Sequence, residues 1–509
     1  MEYLVSSAEM TRLDESARER YGIPGIVLME HAALQAWRSI AALKPARVSV
    51  VAGPGNNGGD GLALARIAHV SGRCEVCVIE AGCERADPGS PAGVHYRSCR
   101  ELGIRLIPFR DAERDARSCM CESDIVVDAI LGTGLTSAVR EVVRQLIDVI
   151  SCARTAGAEV VSLDMPSGLR DRASAPEDSV AADRTLTFGW AKHILYTPWG
   201  RSRSGDIISL DIGFPQQLEA DLSEPRVVLA AHEDLGDFLS TVPQSAHKGV
   251  RGHVAVCAGS VGMTGAARLC CEAAIRSRAA LVTLVSETIP EGLSASIMTR
   301  FAPDLPEGMN GVTRSIDALL IGPGWGCDVA RANTLLKLLT CARRGVIDAD
   351  GLAALKDAGR MQLGDWVLTP HPAEAARLAD CSTDEVLVDP LRIGGFLASQ
   401  YGCTVVIKAE TTHVIAADGR VVVVDGHIAA LACGGSGDVL AGVIAGILAA
   451  GGSSFDAAVA GVLAHAEAGR RLFRSRGWFA ADELPGEISR VLAGVSEGEQ
   501  GNHGPTATE

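Results

Sequence analysis

The stretch VSVVAGPGNNGGDGLALARIAHV, residues 48–70, decides the fold of the first half of the chain. It begins with a short apolar run, continues through a glycine-rich turn and ends in an alanine- and leucine-rich segment. Strand, tight turn and helix in this order are typical of one β–α unit of a parallel sheet. Similar Val- and Ile-rich runs recur further along the chain, so the sequence predicts an α/β fold.

The glycine-rich turn allows two interpretations. Residues 53–58 satisfy the pattern G-x-G-x-x-G, and Glu80 ends the following strand, as in a turn that binds a dinucleotide and its ribose. Asp60 argues against a pyrophosphate there, because a carboxylate at the helix start repels an anion. A purely structural alternative makes Asp60 the helix N-cap and places Asn56 and Asn57 in left-handed turn positions.

Composition narrows the class of protein. With 509 residues, 47% apolar and 21% charged, the chain is not disordered, and its net charge of −15 disfavours nucleic acid and anionic membrane surfaces as partners. Residues 1–20 lack the order of an export signal, and the apolar stretch Val439–Gly452 is shorter than the ~20 residues that cross a bilayer. The 15 cysteines are scattered, which favours reduced thiols. We expect a cytoplasmic homo-oligomer with small-molecule partners.

Two α/β blocks are predicted, at residues 1–215 and 226–495. The polar segment QQLEADLSEPR (216–226) is expected to be a linker, and the tail 496–509 to be disordered. The strands predicted in the first block are Arg47–Ala52, Glu75–Glu80, Asp124–Ile130, Glu159–Asp164, Thr185–Phe188 and Asp206–Ile212. Those in the second are His253–Cys257, Ala280–Val285, Ala318–Ile321, Gly345–Asp348, Trp366–Leu368, Thr404–Lys408 and the hairpin pair His413–Ala416 and Val421–Asp425.

Polar residues follow several strands of the first block. Asp128 and Asp164 lie near strand ends, and Ser167 follows in a turn that starts with proline. Because ligands bind at the carboxyl ends of parallel strands, these residues are expected to converge with Asn57. Asn57, Asp128 and Ser167 offer only oxygen ligands of low charge, which suits a hard cation. Asp164 is then the leading candidate for proton transfer.

In the second block the strongest signal is ACGGSGDVLAGVIAGILAAGG, residues 432–452. Gly434, Gly435 and Gly437 would place free amide groups at the start of a long helix, where an anion is favoured. Asp438 is suited to accept a proton from a substrate hydroxyl. The structural alternative makes Asp438 a helix cap and the glycines packing residues.

Two more residues lie at predicted strand ends in this block. His371 stands between two prolines and is either a substrate contact or a turn residue. Lys408 ends a strand and either meets a phosphate or caps the sheet.

The motifs NNGGDG, VVDAILGTG, LDMPSG and LDIGFP occur in the order typical of the YjeF-type NAD(P)H-hydrate epimerase domain, which residues 1–215 resemble. This resemblance implies a Rossmann-like three-layer fold, a potassium site at Asn57, Asp128 and Ser167, and acid–base chemistry at Asp164. His31 stands where the family usually has Asn. The implied substrate contacts are Asn56, Asn57, Gly58, Gly59, Asp60, Gly132, Thr133, Gly134, Leu135, Thr136, Ser137, Ala138 and Asp164.

The motifs HKGVRGHVAVCAGS, GPGWG, DADGL, TPHPAE, IKAETT and GGSGDVLAG resemble, in order, the ribokinase-like NAD(P)H-hydrate dehydratase domain. The resemblance covers residues 226–495 and implies that Gly326, His371 and Asp438 face the hydrated dinucleotide. In bacterial fused forms the phosphoryl donor is ADP, in eukaryotic relatives it is ATP, and Mg²⁺ is expected with either. The implied adenine-nucleotide contacts are Lys408, Ala409, Glu410, Thr411, Thr412 and Gly437.

This sequence departs from the second family's pattern at a few positions. The usual Lys-Gly loop is Lys408-Ala409, followed by Glu410. Ile428 stands at an Asn position, and Arg278 and Ala280 stand where Gly is usual.

The two resemblances together predict a bifunctional enzyme that epimerises R- and S-NAD(P)H hydrate and dehydrates the S form at the expense of ADP. One alternative is a small-molecule kinase, for a vitamin precursor or a sugar, with an accessory N-terminal domain. Others are an NAD-dependent dehydrogenase that uses residues 53–58 and Glu80, and a non-enzymatic N-terminal scaffold or ligand sensor.

Overall fold

The computed structural model describes residues 1–135, 138–171, 176–243, 245, 249–312, 315–326 and 330–498. The chain divides into two compact units, an N-terminal unit of Glu2–Val227 and a C-terminal unit that begins at Val228 and includes Met1. Each unit is built from β-strands and α-helices, so the predicted α/β fold class is confirmed. No helix in the described part of the chain has the length and apolar character needed to span a membrane.

The N-terminal unit contains nine strands and seven α-helices in the described residues. The strands are β1 Glu2–Val5, β2 Arg47–Ala52, β3 Glu75–Glu80, β4 Arg105–Pro108, β5 Ile125–Ala129, β6 Glu159–Leu163, β7 Arg184–Phe188, β8 Ala191–Lys192 and β9 Asp206–Leu210. The helices are α1 Ser7–Glu19, α2 Gly25–Ala41, α3 Asn56–Ser71, α4 Pro91–Glu101, α5 Glu113–Cys121, α6 Glu141–Thr155 and α7 Pro198–Ser204. Short 3₁₀ helices are Cys83–Arg85, Pro176–Asp178, His193–Tyr196 and Gln216–Asp221.

The main sheet of this unit has the order β4-β3-β2-β5-β6-β7-β9, with every neighbouring pair parallel. Val50 packs in a cluster with residues of α2 and α3, whereas Val51 packs with residues of α6 in another. Neighbouring residues of a strand face opposite sides of the sheet, so helices cover both faces in three layers. The strand order reverses between β2 and β5, where open parallel sheets bind their ligands.

The segment expected to be a linker, 216–226, is packed on the N-terminal unit. Leu218 is fully buried and belongs to the same cluster as Leu13 of α1. Asp221 forms an ion pair with Arg20. Because Leu218 and Leu222 are spaced to face one side of a helical turn, the segment buries apolar surface and does not run free.

The C-terminal unit begins within a short strand, β10 (Val227–Leu229). Its further strands are β11 His253–Cys257, β12 Leu281–Ser286, β13 Ile297–Phe301, β14 Ala318–Ile321, β15 Gly345–Ile347, β16 Trp366–Leu368, β17 Thr404–Ile407, β18 Thr411–Ile415 and β19 Val421–Asp425. Its helices are α8 Thr264–Arg276, α9 Leu305–Asn310, α10 Arg331–Leu339, α11 Asp350–Ala358, α12 Pro372–Ala379, α13 Thr383–Val388, α14 Pro390–Tyr401, α15 Ser436–Ala449, α16 Ser454–Arg476 and α17 Leu484–Gly498. The 3₁₀ helices are His232–Phe238, Ala429–Leu431 and Ala481–Glu483.

In this unit the strands follow the order β13-β12-β11-β14-β15-β16-β17-β18-β19. The pairs from β13 to β17 are parallel, and β17, β18 and β19 pair antiparallel, which includes the predicted hairpin. Helix α15 packs tightly against α8. Gly442 of α15 lies so close to α8 that a Cβ at this position would overlap the carbonyl oxygen of Cys270. The start of α15 lies beside the carboxyl end of β17, since a Cβ on Gly437 would lie 3.4 Å from Nζ of Lys408.

The segment expected to be disordered, 496–509, overlaps the last helix at its first three residues. Helix α17 continues to Gly498, so residues 496–498 are helical. Ile488, Val491 and Leu492 are buried along one face of this helix, and that packing explains why it extends beyond the predicted domain end. Residues 499–509 lie outside the described residues.

Candidate active sites

A cavity of about 480 Å³ lies at the carboxyl edge of the N-terminal sheet. The loops that follow β2, β5 and β6 form one side of it, and helices α1 and α2 form another. Its polar lining includes the predicted residues Asn56, Asn57, Asp60, Thr133 and Asp164. Of the residues expected to converge at the strand ends, Asn57 and Asp164 line this cavity together.

Asp164 follows the last residue of β6 with φ 66°, a left-handed conformation that is uncommon for a residue with a side chain. Its backbone N–H donates to the carbonyl of Leu186 at 2.8 Å, which holds the turn. Strained conformations of this kind persist where the surrounding structure fixes them, and they cluster at functional sites. Here the strained turn places the carboxylate against the cavity.

Lys192 is a member of this site that the sequence analysis missed. Its side chain is fully buried, and Nζ donates to Asp164 Oδ1 at 2.5 Å, to the carbonyl of Phe188 at 2.9 Å and to Thr187 Oγ1 at 3.2 Å. Parallel pairing of β1 and β8, with Val5 opposite Lys192, fixes the backbone of the lysine. No motif signalled this contact, because it depends on strands far apart in the chain.

Two further carboxylates line the same cavity, Asp14 of α1 and Asp60 of α3. Burial, together with the negative charge of Asp164, raises the pKa of Asp14 to about 6 and raises that of Asp60 well above its ordinary value. A raised pKa makes it easier to protonate a carboxyl group, and the protonated form can donate a hydrogen bond. Asp14 was not among the predicted residues.

The structural alternative for the glycine-rich turn is wrong. Helix α3 begins at Asn56 with Gly55 as its N-cap, so Asp60 lies one turn inside the helix and caps nothing. Neither Asn56 nor Asn57 has a positive φ. The turn needs Gly58 because a Cβ there would overlap the carbonyl oxygen of Gly53.

The amide of Asn57 is buried, and neither its oxygen nor its nitrogen has a hydrogen-bond partner in the described residues. An unpaired buried amide is unfavourable unless a ligand satisfies it. Asp128 and Ser167 touch each other, with Ser167 Oγ 2.5 Å from Asp128 Oδ1. Asn57 and Asp164 are also neighbours, since a Cβ on Gly132 would lie 3.4 Å from Asn57 Cβ and 3.1 Å from Asp164 Oδ2. Amide, carboxylate and hydroxyl oxygens fit a hard cation of low charge.

Of the remaining substrate contacts predicted in the N-terminal unit, some line the cavity and others do not. Gly132, Gly134 and Leu135 line the cavity. Gly58 and Gly59 are buried inside α3, and Ala138 lines a neighbouring cavity. Thr136 and Ser137 lie outside the described residues. His31 Nδ1 lies 3.1 Å from the carbonyl oxygen of Ile212 and so connects α2 to the segment after β9.

In the C-terminal unit, Asp438 is the third residue of α15, and the N-cap is Gly435 with φ 93°. The alternative of Asp438 as a helix cap is therefore wrong. Burial, together with the negative charge of Asp348, raises the pKa of its carboxyl group to about 6. Such a carboxylate is ionised at neutral pH and free to accept a proton.

Lys408 lies beside the start of the same helix. A Cβ on Gly437 would lie 3.4 Å from Lys408 Nζ, which in turn donates to Asp348 Oδ1 at 2.6 Å. Burial opposes the charge of Lys408, but Asp348 and Glu374 raise its pKa, so the ammonium is retained. Asp348 belongs to the DADGL motif, yet the sequence analysis assigned it no role.

The backbone N–H groups of His371 and Gly326 each donate to a nearby carboxylate, that of Glu374 and that of Asp350 respectively. His371 is the N-cap of α12: its Nδ1 accepts from the backbone N–H of Ala373 at 3.2 Å, and its Nε2 lies 3.5 Å from Glu374 Oε1. The backbone N–H of Gly326 donates to Asp350 Oδ2 at 2.8 Å. His371 therefore lies in a turn at the start of α12, as one of its two interpretations predicted. Its contact with a substrate stays a prediction.

The predicted nucleotide loop joins β17 to β18. Ala409 and Glu410 form the turn, and Glu410 is exposed with its Oε2 3.8 Å from Nδ1 of His427. Thr411 and Thr412 are the first residues of β18, and Thr411 is buried. The loop lies at the carboxyl end of β17, next to Lys408.

Comparison with known proteins matches both units to families. Residues 25–194 match the family model for the YjeF-related protein N-terminus, and residues 254–490 match the model for NAD(P)H-hydrate dehydratase. The C-terminal part is similar to the solved ADP/ATP-dependent NAD(P)H-hydrate dehydratase of Bacillus subtilis, with 25% identity, a TM-score of 0.47, and coverage of 54% of this chain and all of that one.

Relatives are similar over nearly the whole length. The bifunctional NAD(P)H-hydrate repair enzyme of Moorella thermoacetica is 34% identical over 97% of this chain and 97% of its own. The enzyme of the same name from Escherichia coli is 33% identical over 93% of this chain and 92% of its own. The chain belongs to the family of bifunctional NAD(P)H-hydrate repair enzymes.

Proposed function

We propose that the N-terminal unit interconverts R- and S-NAD(P)H hydrate and that the C-terminal unit dehydrates the S form at the expense of ADP. The observation that carries this proposal is the cluster of Asp164, Lys192 and Asp60 in one cavity at the carboxyl edge of the N-terminal sheet. The boundaries that we propose for the two domains are 1–215 and 226–495.

Epimerisation at the hydrated carbon needs the ring to open and close on the other face. Opening removes the hydroxyl proton, breaks the bond between this carbon and the ring nitrogen, and leaves an aldehyde on the carbon and a proton on the nitrogen; closing reverses these changes. Asp164 moves this proton, with Lys192 holding its carboxylate in place. Asp60, whose pKa is raised by burial and by the negative charge of Asp164, lines the same cavity and contacts the substrate beside Asp164.

Potassium is expected at Asn57, Asp128 and Ser167. The unpaired buried amide of Asn57 fits such an ion. When bound, the ion would supply positive charge beside the loops that hold the substrate. Asp128 keeps its place without it, since its oxygens accept from Ser162 Oγ and the backbone N–H of Ser167, both at 2.8 Å.

In the C-terminal unit Asp438 takes the hydroxyl proton of the S-hydrate while the hydroxyl oxygen bonds to the terminal phosphorus of ADP and AMP leaves. The bond between the ring carbon and the ester oxygen then breaks, phosphate leaves, and the neighbouring ring carbon loses a proton, which restores the double bond. Amide groups at the start of α15 and the ammonium of Lys408 hold the transferring phosphate. Mg²⁺, expected with ADP, would supply further positive charge.

The test is chromatography of an R/S mixture of NADH hydrate incubated with the protein, with and without ADP and Mg²⁺. We expect both epimers to disappear only when ADP is present, and pure R-hydrate to yield S-hydrate without it. If neither epimer is consumed but a vitamin precursor is phosphorylated by ATP, the small-molecule kinase is correct instead. Hydride transfer with intact NAD would favour the dehydrogenase.

A further inference from the structure

His465 lies on the long helix α16 and has no part in the chemistry of Asp438 and Lys408. Helix α16 packs along α15, and Gly461 comes so close to it that a Cβ there would lie 2.6 Å from Ile444 Cγ1. His465 follows Gly461 by four residues, so it lies on the same face of α16. Its Nε2 lies 3.1 Å from the carbonyl oxygen of Ser436, the first residue of α15.

The imidazole of His465 is the donor in this hydrogen bond. A carbonyl oxygen can only accept, so the proton must be on Nε2. Burial lowers the pKa of His465 to about 4; the contact with the Ser436 carbonyl opposes this shift, and the positive charge of Lys408 adds to it. The imidazole is therefore neutral at pH 7 and carries its one proton on the nitrogen that faces α15.

The carbonyl that His465 contacts belongs to the peptide bond between Ser436 and Gly437. This peptide is trans, and the C=O and N–H of a trans peptide lie in one plane and point in opposite directions. A hydrogen bond that fixes the carbonyl therefore also fixes the direction of the Gly437 N–H. That N–H donates to no acceptor in the described residues, as is usual in the first turn of a helix.

The surroundings of the Gly437 N–H suit a phosphate in transfer. A Cβ on Gly437 would lie 3.4 Å from Lys408 Nζ, so an ammonium group is close to this amide, and Asp438 is the next residue in the chain. A peptide whose carbonyl accepts a hydrogen bond is polarised, which strengthens its N–H as a donor. The contact from His465 therefore both orients and strengthens a donor at the place where negative charge develops.

We propose that His465 is a positioning residue of the dehydratase reaction, which holds the peptide between Ser436 and Gly437 so that the Gly437 N–H contacts the phosphate in transfer from ADP. The proposal rests on the proposed function of the C-terminal unit. It requires that His465 donates a hydrogen bond and exchanges no proton with the substrate. Because the residue acts through Gly437 on the phosphate, its loss should lower kcat and leave the binding of S-NADH hydrate unchanged.

Variants of the full chain separate this role from a merely structural one. His465→Leu removes the donor, so kcat for S-NADH hydrate with ADP and Mg²⁺ should fall at least about tenfold, since complete removal of such a donor costs about 10²–10³-fold. KM for S-NADH hydrate should stay within about twofold of the wild-type value. His465→Gln places an amide N–H near the position of Nε2 and should recover most of the rate.

The matched control is Arg474→Gln, at an exposed residue of the same helix, and its kcat should equal that of the wild-type protein. A wild-type kcat for His465→Leu would overturn the positioning role. A His465→Gln variant as slow as His465→Leu would overturn it too, because the hydrogen bond would then not be what the reaction needs. Failure of the wild-type chain to dehydrate S-NADH hydrate with ADP would contradict the proposed function instead.

Nuclear magnetic resonance of the wild-type chain with ¹⁵N-labelled histidine tests the same hydrogen bond even if His465→Leu does not fold. The signal of His465 is the one missing from His465→Gln. We expect its Nε2 to carry the proton at pH 7 and the imidazole to stay neutral down to about pH 4. A proton on Nδ1, or titration near the ordinary pKa of 6.5, would overturn the positioning role.

Discussion

Lys192 Nζ lies 2.5 Å from Asp164 Oδ1, and the side chain of this lysine has no exposed surface. The ion pair joins a residue that the sequence motifs indicate to one that they do not. Asp164 in its strained turn is exposed to the cavity, while Lys192 contacts it from the protein interior. This arrangement holds the proposed acid–base carboxylate in one orientation.

Lys192→Met should lower the rate of epimerisation by about 10²–10⁴-fold, because Asp164 loses the group that orients it. The rate of conversion of R- to S-NADH hydrate measures this effect. Lys44→Met, at an exposed lysine of the same unit, is the control and should keep the wild-type rate. The double variant with Asp164→Asn should be no slower than Asp164→Asn alone, because the two residues act as one unit. A wild-type rate for Lys192→Met would contradict the assignment.

Dehydration should depend on pH through Asp438. Because its pKa is raised to about 6, the carboxylate is protonated below that pH and cannot accept the hydroxyl proton. We expect kcat/KM for S-NADH hydrate and ADP to fall as pH decreases through about 6. Asp438→Asn should lose most activity and retain no such inflection. An unchanged inflection in the residual activity would assign the titration to another group.

The same pKa makes a prediction for stability. The pKa of Asp438 is near 3.8 in the unfolded state and about 6 in the folded state, so the folded state binds this proton more tightly. The free energy of unfolding therefore decreases as pH rises from about 4 to about 6 and stays lower at pH 7. Asp438→Asn should therefore raise the melting temperature of the C-terminal unit at pH 7 and leave it unchanged below about pH 4. Calorimetry at both pH values measures this, and a lower melting temperature at pH 7 would show that the carboxylate is stabilising.

Potassium should stimulate epimerisation through Asn57. At constant ionic strength, replacing K⁺ with a bulky organic cation should lower the wild-type rate, since the buried amide then has no partner. Asn57→Leu should be slow and insensitive to this replacement. Thermal unfolding provides a second readout, because K⁺ should raise the melting temperature of the wild-type N-terminal unit but not that of the variant. Equal responses of both proteins would place the ion elsewhere.

The glycine-rich turn should tolerate alanine at only one of two nearby positions. Gly58→Ala places a Cβ against the carbonyl oxygen of Gly53, so we expect loss of several kcal/mol of stability or failure to fold. Gly55→Ala meets no atom within 4 Å and has an ordinary negative φ, so its free energy of unfolding should change by less than about 1 kcal/mol. Urea unfolding monitored by circular dichroism compares them, and equal losses would contradict the steric role of Gly58.

Local sequence was sufficient for most of the fold. The strands Arg47–Ala52, Glu75–Glu80 and His253–Cys257 lie where they were predicted, since each is a short apolar run between turn residues. The strands β1, β4, β8, β10 and β13 were missed. In β4 and β13 only Ile107 and Ile297 are buried, so neither of these two strands has the apolar pattern of a central strand.

The sequence by itself determined the α/β class, the glycine-rich turn and the carboxylates at strand ends, because each depends on residues close together in the chain. Only the tertiary structure decided that Lys192 contacts Asp164 and that Asp348 contacts Lys408. These contacts join residues from separate strands and loops. Their distances follow from the register and packing of the whole sheet, which no local pattern encodes.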